Sequence, residues 1–319
     1  MVINGVRNSI KDVSTYVQGN TVEDIKEKYE LDNIAKLCFN ENPYAPYSIC
    51  KKAIMDNMDS FNCYPDADYI KLKEKIAKKY DFTSSNIALG HGIVGLLETL
   101  IKMFLEKGDQ VIIPQSTFGL YEDLSKIMGA EIVKSDLKKG KIDVKNLVNS
   151  ITSKTKVIWI SNPNNPTGTI INDKDFQYLL ANLPEDVWLI FDEAYYEFAA
   201  GPEYPASMEA IRNGANLILT RTFSKAYGMA GLRLGYAIAN EEVIEIINRV
   251  SQPFNSNRAG LKAAMAILEN SQEAEDAIKK INESKKFMKS ELEKRNLEVF
   301  PSYTNFIFFK TPYSAKKIA

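Results

Sequence analysis

Two hydrophobic patterns alternate along the chain: short runs built on consecutive apolar residues, and longer stretches in which apolar residues recur every three or four positions. The runs are QVIIP (110–114), AEIVKS (130–135), KVIWIS (156–161), WLIFDEAY (188–195), NLILTRTF (216–223) and RLGYAIA (233–239). A strand covered on one face alternates apolar and polar residues, whereas a strand covered on both faces is apolar throughout. The runs therefore predict an α/β fold with a mostly parallel sheet flanked by helices. Within 93–107, Ile93, Leu96, Leu97, Leu100, Ile101, Phe104 and Leu105 fall at helical spacing and predict one of those helices. After about residue 265 the pattern changes. SQEAEDAIKKINESKKFMKSELEKRN (271–296) is charged and amphipathic and predicts a solvated surface helix, while LEVFPS (297–302) and NFIFFK (305–310) predict two strands of a smaller α+β domain. The expected division is an N-terminal segment at 1–40 joining the small domain, a large domain at 41–265, and the small domain at 266–319.

Composition narrows the classes. Of 319 residues, 45 % are apolar and 25 % charged, and 40 basic side chains nearly balance 41 acidic ones. A net charge of −1 gives no electrostatic reason to expect a nucleic-acid or membrane-surface partner. The start, MVINGVRNSI, has no apolar signal core, and IVGLLETLIKMFLEKG (93–108) is broken by Glu98 and Lys102 and too short to span a bilayer. A cytoplasmic location is expected. Cys38, Cys50 and Cys63 have no metal-ligand spacing and read as reduced thiols. A single histidine argues against a histidine metal site or a Ser-His-Asp triad, and no metal is expected.

Ligands of open α/β sheets bind beyond the carboxyl ends of the strands. Four clusters fall at such ends: GHG (90–92), NPNNPTG (162–168), DEAYYEF (192–198) and SK (224–225). GHGIVG (90–95) matches a dinucleotide fingerprint, yet the next strand, QVIIP, is followed by Gln115, Ser116 and Thr117 rather than the acidic residue a ribose needs. A glycine turn opening a helix still suits a phosphate of another kind. Asp192, ending WLIF, is either a structural carboxylate or one that faces a cationic ring nitrogen. Such a pair at about 4 Å is worth roughly 4 kcal/mol at an effective dielectric near 20. In TFSKAYGMAGLRLG (222–235), Lys225 at a strand exit can form a Schiff base with an aldehyde cofactor, with hydroxyls and a guanidinium holding its phosphate. Gly228 and Gly231 let the backbone fold closely between those anchors.

NPNNPTG, DEAYYEF, TFSKAYGMAGLRLGYAIAN and RVSQPFN (249–255), in that order, resemble the fold type I pyridoxal-phosphate aminotransferases. FNENPYAP (39–46) and YPDAD (64–68) extend the resemblance to the histidinol-phosphate aminotransferases, over essentially the whole chain. The resemblance implies that Lys225 holds pyridoxal 5'-phosphate covalently and carries the proton between the substrate α-carbon and cofactor C4′. It implies that Asp192 pairs with the pyridinium nitrogen and that Asn165 and Tyr195 bond the ring hydroxyl oxygen. Thr222, Ser224, Arg233 and the amides of Gly92 and Ile93 would hold the phosphate, and Phe118 would stack on the ring. Tyr64 would reach the neighbouring subunit's cofactor, implying a homodimer with shared sites. Tyr44, and again Asn165, would meet the substrate. The Asn165–Pro166 bond is expected to be cis.

Two departures qualify the match. Ile93, Val94 and Gly95 stand where the family places Ser and then acidic residues, so a hydroxyl contact to the phosphate is lost. The chain ends at AKKIA, ahead of the family's substrate-clamping arginine, which makes the small domain C-terminally incomplete and leaves a cofactor-binding but inactive form as one reading. The expected activity is amino transfer from histidinol phosphate to 2-oxoglutarate, in histidine biosynthesis. An aromatic amino acid aminotransferase and an O-phospho-amino-acid decarboxylase remain as alternatives on the same scaffold.

Overall fold

The computed structural model describes residues 4–11, 13, 19–66 and 68–314. Its centre is a seven-stranded sheet made of β1 (Ile87–His91), β2 (Gln110–Pro114), β3 (Glu131–Ser135), β6 (Thr155–Ser161), β7 (Trp188–Asp192), β8 (Leu217–Thr222) and β9 (Leu234–Ile238). A separate two-residue ribbon pairs β4 (Leu137–Lys138) with β5 (Lys141–Ile142). The sheet order is β1-β9-β8-β7-β6-β2-β3. β9 is antiparallel to both neighbours and the remaining pairs are parallel, so the mostly parallel sheet expected from the apolar runs is present.

Except for the edge strand β3, where Glu131 and Lys134 are exposed, the runs form strands because both faces are covered. Ile190, Ile218 and Ala237 point to one side, against Leu96, Leu97 and Leu100 of the helix Gly92–Phe104 and Ile247 of the helix Glu241–Val250. Leu189, Phe191, Leu217 and Leu219 point to the other, against Ile76 of the helix Ile70–Tyr80 and Ala263 of the helix Arg258–Glu269. Alternation along a strand supplies both sets. The charged helix expected at 271–296 is Gln272–Glu293, and Ala274, Ala277 and Ile281 form its buried stripe.

The two C-terminal strands do not form as expected. Segments 297–302 and 305–310 meet at one antiparallel bridge, Val299 with Phe309, flanked by amides of Phe300 and Lys310 donating to the carbonyls of Phe308 and Glu298 at 2.9 Å each. A two-stranded ribbon alone is marginal. Residues 42–47 reach the carboxyl edge of the sheet. There Asn42 Nδ2 and the Tyr47 hydroxyl donate to the carbonyl of Ala226 at 3.1 and 2.8 Å. Among the described residues no helix is long and apolar enough to cross a membrane, and no group of His, Cys, Asp and Glu could hold a metal ion. Cys38, Cys50 and Cys63 are free thiols.

Candidate active site

Sheet topology brings the four sequence clusters to one edge. β1 runs into Gly92, β6 into the turn 162–168, β7 ends on Asp192, and β8 leads into Ser224 and Lys225. Because β9 runs the opposite way, its first residues lie at that edge too, which delivers Arg233 from the strand's beginning.

Lys225 is half-buried. Its Nζ donates to the carbonyl of Phe39 at 2.7 Å and stands 5.7 Å from the centroid of the Tyr195 ring. Burial lowers its ammonium from 10.5 to about 8, with Arg233 adding to the shift and Glu41 and Asp192 opposing it. An amine near 8 is partly neutral at physiological pH, the form that attacks a carbonyl. The carbonyl that holds it belongs to a tight turn, in which Phe39 and Asn40 both take left-handed backbone angles, φ 62° and 52°.

Asp192 is buried. Its Oδ2 accepts from the Tyr121 hydroxyl at 2.6 Å and its Oδ1 from the Ala194 amide at 3.0 Å. Burial nevertheless lifts its acid from 3.8 to about 6. Among the described residues no cationic side chain pairs with it. A buried carboxylate with only neutral donors fits a cationic heterocycle, whose charge would offset the desolvation. Tyr121 is stacked on Trp159 with ring centroids 5.2 Å apart, so the phenol that orients the carboxylate is itself fixed.

The phosphate elements also converge. A Cβ on Gly92 would lie 2.6 Å from Arg233 Nη2, so the missing side chain admits the guanidinium, and φ of +66° favours glycine there as well. The amide of Gly92 does not serve as the sequence suggested: it donates to the Arg233 carbonyl at 3.0 Å. What Gly92 gives the site is room. The Ile93 amide lies in the first helical turn, where N–H groups have no intrahelical acceptor. Arg233 donates through Nη1 to the Ala230 carbonyl at 2.9 Å, and among the described residues no carboxylate pairs with it. The Thr222 hydroxyl accepts from the Ser224 amide at 3.0 Å and shapes the turn into Lys225. An unpaired guanidinium beside a helix N-terminus fits a dianionic phosphate.

In the turn 162–168 the Asn165–Pro166 bond is cis, as expected, and so are Asn162–Pro163 and, elsewhere, Ala45–Pro46. Asn165 Nδ2 donates to the Tyr195 hydroxyl at 3.3 Å, which also receives Asn40 Nδ2 at 3.2 Å. Burial pushes that phenol up to about 12. Phe118 meets Tyr121 edge-on, with centroids 5.5 Å apart. Tyr44 is exposed, with Lys280 Nζ 5.4 Å from its ring centroid. Tyr64 is 78 % exposed, stacked at 4.8 Å on Phe254, beside an open cleft of 510 Å³ that also contains Arg258.

Sequence reasoning missed Tyr121, Asn40 and Gly235. Tyr121 lies in the first turn of the helix Leu120–Met128, just after Phe118, and nothing in the sequence aimed it at Asp192. Nothing local marked Asn40. Gly235 reads as one residue of an apolar run, yet a Cβ there would lie 2.8 Å from both Gly92 C and Ile93 N.

Residues 32–318 match the family described as aminotransferase class I and II. The histidinol-phosphate aminotransferase of Caldicellulosiruptor saccharolyticus is 36 % identical over 312 residues, covering 98 % of this chain and 87 % of that protein. The crystal structure of histidinol-phosphate aminotransferase from Sinorhizobium meliloti, in complex with pyridoxal-5'-phosphate, is 25 % identical. It superimposes with a TM-score of 0.90, covering 99 % of this chain and 84 % of that one. L-threonine-O-3-phosphate decarboxylase from Porphyromonas gingivalis shares the fold, with a TM-score of 0.73 at 24 % identity over 85 % of each chain.

Proposed function

The chain belongs to the class I and II aminotransferases, and from that premise we propose that it transfers an amino group from histidinol phosphate to 2-oxoglutarate, in histidine biosynthesis, using pyridoxal 5'-phosphate. The observation that carries the reading is the placement of Lys225, Asp192 and an unpaired Arg233 at one sheet edge. The first two are a cation and a carboxylate that burial moves toward neutrality, to about 8 and about 6. Bound pyridoxal phosphate supplies an electrophilic aldehyde carbon and a ring that withdraws electrons. Asp192 keeps the ring nitrogen protonated, and Tyr121 keeps Asp192 ionised and aimed. Arg233, Ser224 and the Ile93 amide hold the phosphate, with Thr222 fixing the turn that presents Ser224. Asn165 and the Tyr195 hydroxyl orient the ring oxygen, and Phe118 covers the ring. Lys225 binds the cofactor, and its amine then holds and returns the proton of the substrate carbon.

Tyr44 contacts the substrate phosphate from the N-terminal segment. Tyr64, exposed on the surface, serves the site of a second copy in a homodimer of shared sites, and the protein acts in the cytoplasm. Steady-state kinetics with histidinol phosphate, aromatic amino acids and phosphoserine tests the substrate. Glutamate formed fastest from histidinol phosphate is expected. Preference for an aromatic amino acid moves the activity to an aromatic aminotransferase, and carbon dioxide release without glutamate moves it to a decarboxylase.

A further inference from the structure

Beneath the site, on the opposite face of the sheet, lies a charge cluster that the proposed chemistry does not use. Successive residues of a strand point to opposite faces. Asp192 faces the site while Glu193 goes beneath; Thr222 faces the site while Arg221 goes beneath. There the two meet: Glu193 Oε2 accepts from Arg221 Nε at 2.7 Å and from Nη2 at 2.6 Å, with side chains 0 % and 1 % exposed. Glu193 Oε1 accepts from the Ser207 hydroxyl at 2.8 Å. The guanidinium lies between aromatic faces, 3.5 Å from the Tyr196 centroid and 4.7 Å from that of Tyr80. A second tie sits two residues past Lys225, where Lys79 Nζ donates to the Tyr227 hydroxyl at 2.6 Å.

Stability does not account for this arrangement. Desolvating an ion pair costs about as much as its attraction returns, and apolar side chains of similar volume are often as good or better. The cluster also leaves Arg221 Nη1 and Glu197 Oε1 buried without partners. What the pair has that apolar residues lack is a fixed geometry, two donors on one oxygen, spanning the tips of the adjacent strands β7 and β8. We infer that Arg221 and Glu193 are positioning residues: their clasp sets the separation of the two strand tips, and so the separation between Asp192 and the turn carrying Thr222, Ser224 and Lys225. The inference rests on the reading that those residues hold pyridoxal phosphate.

Three variants test it: Arg221→Lys, which keeps the charge but not the two-donor contact, Glu193→Gln, and the double variant Arg221→Met/Glu193→Leu. Each is measured for thermal unfolding of the cofactor-free protein, for pyridoxal phosphate affinity by absorbance titration, and for the pH midpoint of the visible band. Affinity is expected to fall about ten-fold or more in all three, with a shifted midpoint, even where unfolding temperature is close to wild type. Arg221→Lys carries the test if either other variant fails to fold. Wild-type affinity and midpoint in the folded variants, or an affinity loss that only follows unfolding temperature, overturns the positioning role. If the unaltered protein gives no visible band with pyridoxal phosphate, the reading beneath fails and the inference falls with it.

Discussion

Replacing Tyr121 with Phe removes one hydroxyl and leaves the ring stacked on Trp159. The lost bond is the 2.6 Å donation to Asp192 Oδ2, and burial holds the phenol far above its ordinary range, so it is always the donor. A hydrogen bond to a charged group contributes about 1.5–3 kcal/mol, or about 1–2 pK units. Asp192, already raised to about 6, should therefore rise to about 7–8 in the cofactor-free variant. The sign of the stability effect follows. A carboxyl whose folded value lies above its unfolded one binds protons more tightly in the fold, so its contribution is present below 3.8 and is lost as pH rises toward 6. That loss is roughly 3 kcal/mol in the wild type and grows in the variant. The assay is nuclear magnetic resonance of carboxyl-labelled aspartate, with Asp192→Asn identifying the resonance, across pH 4–9. A midpoint that stays near 6 in Tyr121→Phe would refute the claim that this phenol sustains the charge.

Gly235→Ala should destabilise the cofactor-free protein by about 1–3 kcal/mol in urea unfolding, because the new Cβ meets backbone atoms at 2.8 Å; a change below about 0.5 kcal/mol would show that the strand yields freely. Mixing Lys225→Ala subunits with Tyr64→Ala subunits should restore one working site per mixed dimer. No recovery in verified heterodimers counts against sharing.

The large sheet was legible because its strands are buried on both faces, which leaves unbroken apolar runs such as QVIIP and LILT. The main groups of the proposed site stood out in the sequence because Lys225, Asp192 and Arg233 sit beside those runs, at strand ends and glycine turns. The C-terminal ribbon was misread because an apolar run does not say whether a neighbour exists to complete its ladder. Only the fold shows that the Arg233 carbonyl takes the Gly92 amide, which the sequence had assigned to a phosphate. Asn40 and Tyr121 act through distant partners, Tyr195 and Asp192, and such pairings leave no local pattern. The Arg221–Glu193 clasp is hidden for the same reason. Each of its members reads as a charge beside a motif until the strands are laid side by side.

The proposed chemistry centres on Lys225, and borohydride reduction of the protein loaded with pyridoxal phosphate, followed by peptide mapping, tests it most directly. A phosphopyridoxyl group is expected on the peptide containing Lys225, at one per chain, and none on Lys225→Ala protein that unfolds like the wild type. Stoichiometric label on any other lysine, or persistence of the label in Lys225→Ala, would contradict it.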